Sequence, residues 1–108
     1  MVQNASNIIR TAVERWENVT VHPHRFGGIE FRYKTRELGH LHGDSLVDIP
    51  FPMSVRNELI ERGRVQPHHH LPRSGWISFK LRTERDVDEA VALLRLSYEI
   101  VHTSRGHS

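Results

Sequence analysis

Apolar positions recur along this chain with two periods, and the switches between them mark its elements. Ile9, Ala12, Val13 and Trp16 follow the i, i+3, i+4, i+7 spacing of one helical face. That spacing predicts a first helix over residues 6–17, with Ser6 at its start as cap. Val19 to His22 is short and β-prone, and Phe26-Gly27-Gly28 then breaks the chain. Ile29, Phe31 and Tyr33 alternate with Glu30, Arg32 and Lys34, the pattern of a strand with one buried face. A turn at Thr35-Arg36 sends Glu37 to His42 back as another strand. Gly43-Asp44-Ser45 is the next turn signal, and Leu46 to Phe51 follows with Val47, Ile49 and Phe51 on one face.

Pro52 can open a helix, because its missing N–H costs nothing in the first turn. Val55, Leu59 and Ile60 give a middle helix over 53–62 its apolar stripe, and Gly63 suits its end. Arg64 to Gln66 reads as a short strand and Pro67 to Gly75 as a loop. Trp76 to Leu81 is a strand with Ile77, Phe79 and Leu81 aligned. Thr83 with Asp86 resembles a capping box. Val87, Ala90, Val91, Leu94, Tyr98 and Val101 then trace the longest helix, over 84–102. The order implies an α+β fold: a single antiparallel sheet of about four to six strands, packed by an N-terminal, a middle and a long C-terminal helix. Residues 1–103 are expected to form one domain and 104–108 a frayed tail.

Composition narrows the function classes. Nothing approaches the roughly 20 apolar residues of a membrane span, and the N-terminal segment reads as an amphipathic helix, not a signal peptide. A cytoplasmic location is the expectation. The chain has no cysteine, which removes disulfides and thiolate metal sites. A net charge of +2 is not the footprint of a strong nucleic-acid binder. Arg32, Lys34, Lys80 and Arg82 could still form a basic stripe on the outward faces of two strands, as an interaction module would use.

Nine of the 108 residues are histidine, and this changes the picture most. His22 and His24 flank Pro23, His40 and His42 flank Leu41, and His68-His69-His70 lie between Pro67 and Pro72. Residues two apart on a strand point the same way, so His40 and His42 should share a face with Leu38 and Asp44. If the first two pairs meet, His22, His24, His40 and His42 could hold a divalent transition metal such as Zn²⁺, Fe²⁺, Cu²⁺ or Ni²⁺, with Glu37 or Asp48 supplying a carboxylate. His68 or His70 could complete such a site. Alternatively, these imidazoles organise loops through hydrogen bonds. Arg25 and Arg36 flank the pairs, and arginine beside imidazole suits a carboxylate or phosphate. Trp76 and Tyr98 read as core or sheet-edge packing.

Five strings extend the picture: His22-Pro23-His24-Arg25-Phe26-Gly27-Gly28-Ile29-Glu30-Phe31, Arg36-Glu37-Leu38-Gly39-His40-Leu41-His42-Gly43, Asp48-Ile49-Pro50-Phe51-Pro52, Ser74-Gly75-Trp76-Ile77-Ser78-Phe79 and Leu94-Arg95-Leu96-Ser97-Tyr98. Together they resemble a small bacterial family known as the luciferase domain. The family name implies light-emitting oxidation, although these residues carry no signature of that reaction. In layout, and in the Gly75-Trp76 stretch, the chain is also similar to MmcQ/YjbR-like proteins, which implies a CyaY-like fold and a double-wing role on DNA.

The reading is therefore a domain that binds a small polar or anionic ligand through His22, His24, Arg25, Arg36, His40, His42 and His69. The rivals are a metal-dependent or oxidative enzyme using the same histidines, and a weak nucleic-acid or protein interaction module.

Overall fold

The computed structural model describes residues 2–24 and 27–106. The elements run α1 (Ala5–Val13), β1 (Val19–Pro23), β2 (Ile29–Tyr33), β3 (Arg36–His42), β4 (Leu46–Pro50), α2 (Met53–Glu61), β5 (Gln66–Pro67), β6 (Trp76–Lys80) and α3 (Glu84–Gly106). The fold is α+β, with one six-stranded sheet in the order β1-β2-β3-β4-β6-β5. Every neighbouring pair is antiparallel. The first four strands form a meander. After β4 the chain passes through α2, lays β5 at the far edge, and returns as β6 between β5 and β4.

Phe31, Leu41, Val47, Ile49 and Ile77 are fully buried in one core with Ile9 and Val13 of α1 and Ala90 and Leu94 of α3. Helices α1 and α3 pack on each other, and α3 lies against β2, β3 and β4. Period-two alternation then sends the intervening residues to the opposite face.

Three local findings differ from the periodicity. Helix α1 ends at Val13 and not near Glu17. The Trp16 N–H bonds to the Val13 carbonyl, and Asn18 turns the chain at φ 67°. Trp16 is still partly buried, packing its ring against Tyr98 of α3, 5.3 Å away centroid to centroid, and the Tyr98 hydroxyl donates to the Glu17 carbonyl. At the other end of α1 the Ser6 side chain is not the cap. The Ser6 N–H donates to Asp44 Oδ1 at 2.8 Å, so the β3–β4 turn satisfies the helix start. The capping box of α3 does form: Asp86 Oδ2 accepts the Thr83 N–H, and Thr83 Oγ1 accepts the Asp86 N–H.

The third difference positions the site. Phe31 pairs with Gly39 while Arg32 pairs with Glu37, so Leu38 is the extra residue of a β-bulge. A Cβ on Gly39 would meet Leu94 of α3 at 2.8 Å, which places Gly39 on the helix-covered face. The bulge lets Leu38 and Leu41 both bury in the core while Glu37, His40 and His42 face away. His40 and His42 therefore do not share a face with Leu38, and Asp44 is taken up at α1. The Gly27-Gly28 break allows close approach: Gly28 has φ 78°, and any side chain there would overlap the Leu41 carbonyl oxygen. Among the described residues, no helix is long and apolar enough to cross a membrane.

Candidate functional site

On the sheet face away from α1 and α3, the register aligns one polar residue from each strand. His22 pairs with Glu30, Glu30 with His40, His40 with Asp48, Asp48 with Ser78, and Ser78 with Gln66. Asp48 occupies the middle of that row and is fully buried. A carboxylate without solvent requires donors, and four side chains supply them. Ser78 Oγ donates to Oδ1 at 2.6 Å. The Nε2 atoms of His42, His40 and His68 stand 2.8, 3.2 and 3.3 Å from Oδ2.

Each imidazole is fixed differently. His40 Nδ1 lies 2.6 Å from Glu37 Oε2, so His40 sits between two carboxylates. Burial alone would lower its pKa, but the hydrogen bonds to Asp48 and Glu37 outweigh it and raise the value to about 9. Asp48 moves the other way: burial would raise it, yet donation from His40, Ser78 and His42 holds it well below the usual carboxylate range. His68 Nδ1 accepts the backbone N–H groups of His70 and Leu71 at 3.1 and 3.2 Å. A neutral imidazole has one donor and one acceptor nitrogen, so Nε2 carries the proton toward Asp48. Burial lowers the His68 pKa and Asp48 opposes only part of the effect. The His24 pKa is also lowered, first by burial and then by the neighbouring His40 charge.

His24, His40, His42, Asp48 and His68 line a cavity of about 590 Å³. The His24 ring stacks on His40 at 3.9 Å between centroids and lies 6.0 Å from that of His42. Trp76 closes another side, 5.2 Å from His40, and the loop residues His69, His70 and Leu71 complete the wall. The Trp76 strand position follows from its pairing with Pro50 at the end of β4.

Of the residues expected at a ligand site, the fold brings His24, His40, His42 and His69 to this cavity. His22 points its Nε2 to Thr20 Oγ1 at 2.7 Å and is not part of the lining. Arg36 opens on a separate cavity of about 300 Å³ beside Phe51, Ser97 and Val101. Arg25 lies outside the described residues. Among the described residues, three groups have ligand atoms within 4.8 Å of one another: His24, Glu37 and His40; His40, His42 and Asp48; Asp48, His68 and His69. The set His22, His24, His40 and His42 is not one of them.

The sequence offers Asp48 and His68 as possible partners of the strand histidines, but it does not place Trp76 or Ser78 at the site. One signal was present: Asp48 stands inside the apolar run Leu46 to Phe51, where a carboxylate must find partners. Trp76 and Ser78 became site residues only through the β4–β6 register.

A family model described as Luciferase domain matches residues 35–97, more than half of the chain. The matched stretch holds His40, His42, Asp48, His68 and Trp76, and leaves out His22 and His24. No curated protein and no solved structure gives a significant match.

Proposed function

The chain belongs to the luciferase-domain family, and on that premise we propose that it binds a small polar or anionic molecule in the chamber over Asp48. One observation carries this reading: a cavity of about 590 Å³ surrounds a buried carboxylate that already orders three imidazoles. The volume falls within the roughly 300–1,000 Å³ of ordinary ligand pockets. Trp76 and Leu71 offer apolar surface, and the histidines offer a few directed polar atoms. His24 and His68 favour their neutral forms, so at neutral pH they recognise a ligand by hydrogen bonding more than by charge. Arg36 has no part in this reading, because it opens elsewhere.

A second reading, catalysis in the same chamber, is favoured by His40, whose two carboxylate partners hold a proton beside the cavity. The ligand reading is tested on chelator-treated protein by following histidine-ring and indole resonances during titration with phosphate, acetate and catechol. At least one probe should shift Trp76 together with His24 and His42 and saturate. Trp76→Ala should weaken that probe about tenfold, in line with the loss of ~1.4 kcal/mol of contact, while Arg36→Ala should leave it unchanged. Shifts centred on Arg36, or no saturable shift with any probe, would remove the reading. An anionic probe should bind more tightly as pH falls below 6.5, because His24 and His68, both depressed from that value, take up protons there.

A further inference from the structure

The geometry points to a mononuclear site for a divalent transition-metal ion at the floor of this chamber, with His40 Nε2, His42 Nε2 and Asp48 Oδ2 as its three protein ligands. The inference deepens the ligand-binding reading and uses the same chamber. Two histidines and one carboxylate on one side of an ion form a recurrent protein metal site that leaves positions open for small molecules.

Spacing supports it first. Ligands about 2.0–2.1 Å from a common ion stand about 3.0 Å apart at right angles and about 3.3 Å apart in a tetrahedron. His42 Nε2 and His40 Nε2 are 2.8 and 3.2 Å from Asp48 Oδ2. One ligand atom from each of His40, His42 and Asp48 lies within 4.8 Å of the other two, which brings the imidazoles near enough to share an ion with the carboxylate.

The backbone supplies the second support. His40 and His42 project from one strand at i and i+2, and Asp48 is the direct cross-strand partner of His40. The groups that orient the ligands are also present. Glu37 Oε2 is placed to accept His40 Nδ1–H, which leaves Nε2 to face the ion, and Ser78 holds the other oxygen of Asp48. All three ligands line the cavity, so open coordination positions would face it. Binding would release the His40 Nε2 proton to solvent.

The competing groups are weaker. Both ring nitrogens of His68 are engaged: Nδ1 accepts two backbone N–H groups, and Nε2–H faces Asp48. To ligate through Nε2, His68 would need a proton on Nδ1 pointing at two donors. That excludes the group with His69. The group with His24 draws on a residue beyond the end of β1 and makes no use of the buried carboxylate.

The test titrates chelator-treated protein with Co²⁺ alone, read by its visible absorption bands and by paramagnetic shifts of the histidine rings. The expected result is one equivalent bound, with His40 and His42 shifted most. Asp48→Asn and His42→Asn should each weaken binding at least tenfold. The double substitution His69→Asn with His70→Asn should leave it within about twofold. Because Asp48→Asn can unfold the chain, the wild-type paramagnetic pattern is an independent check. Shifts centred on His69 and His70, or binding no tighter than millimolar, would overturn the proposal. The phosphate, acetate and catechol titrations are metal-free, so failure here leaves the ligand reading standing, and failure there leaves this one.

Discussion

At the residue scale, Asp48 carries the consequences. It is a fully buried carboxylate whose charge is balanced by His40 and shared with two further imidazoles. Removing one partner of a buried ion pair costs about 3–5 kcal/mol, because the other charge stays behind. Asp48→Asn should therefore lower stability by about that amount and bring the His40 pKa down from about 9. Denaturant unfolding and histidine-ring titration of the variant read the two effects. The same groups set the pH profile of the metal-free protein. His40 is raised in the fold, so its stabilisation is complete below its unfolded value of 6.5 and disappears as pH climbs through about 9. That loss is on the order of 3 kcal/mol. Asp48 is depressed, and its share of the same ion pair is lost only in strong acid. His24 and His68 are depressed histidines, so the fold loses stability as pH drops below 6.5 and they must charge. Stability should peak between about pH 6 and 7 and fall on both sides. Unfolding midpoints measured from about pH 5 to about pH 10 check this, and a flat profile up to the alkaline end would contradict the role given to His40.

At the element scale, helix ends separate local from distant information. The α3 capping box was legible because Thr83 and Asp86 are three residues apart and the bonds are local. The α1 start was not, because its acceptor, Asp44, comes from 38 residues away. Asp44→Ala should cost about 1 kcal/mol, the usual value of a helix N-terminal acceptor. Asp44→Asn, which keeps a side-chain oxygen, should cost less. Thermal unfolding of the two variants separates these outcomes, and equal losses would assign the effect to the turn. The β3 bulge shows the same division. Alternation identified the strand, but one inserted residue decided which side chains left the core.

At the scale of the whole molecule, sheet order decides whether the basic residues act together. Arg32 is on β2 and Lys80 on β6, and β3 and β4 lie between them. Strands about 4.8 Å apart put these two at least about 14 Å from each other. Arg32 is also paired with Glu30 at 2.7 Å. Four cations in one stripe would allow a salt slope near −3.6 in log K against log salt, whereas two at most can act together here, giving about −1.8. Double-stranded DNA should bind weakly in low salt with that shallow slope. Tight, sequence-selective binding in a gel shift at about 150 mM salt would restore the double-wing analogy.

The elements and the fold class were written in short-range patterns. The helical spacing from Val87 to Val101 and the alternation from Ile29 to Tyr33 reflect which face of each element meets the core, and that depends on neighbours a few residues away. The abundance of histidine and the common direction of His40 and His42 were visible for the same reason. The composition of the site was legible only in part: residue type marked the histidines and Asp48 as candidates, but not Trp76 or Ser78, and not which candidates would meet. Asp48 meets Ser78 across a register set only when β6 inserts between β4 and β5, and His68 reaches Asp48 only because its loop folds back over the sheet. His22 and Arg36 carry the same chemistry as the residues that entered the chamber, yet one turns to Thr20 and the other opens on a different cavity. Residue type and spacing set what each side chain can do. Burial, register and the bulge at Leu38 decided which of them share one carboxylate, because those depend on contacts between segments that are distant along the chain.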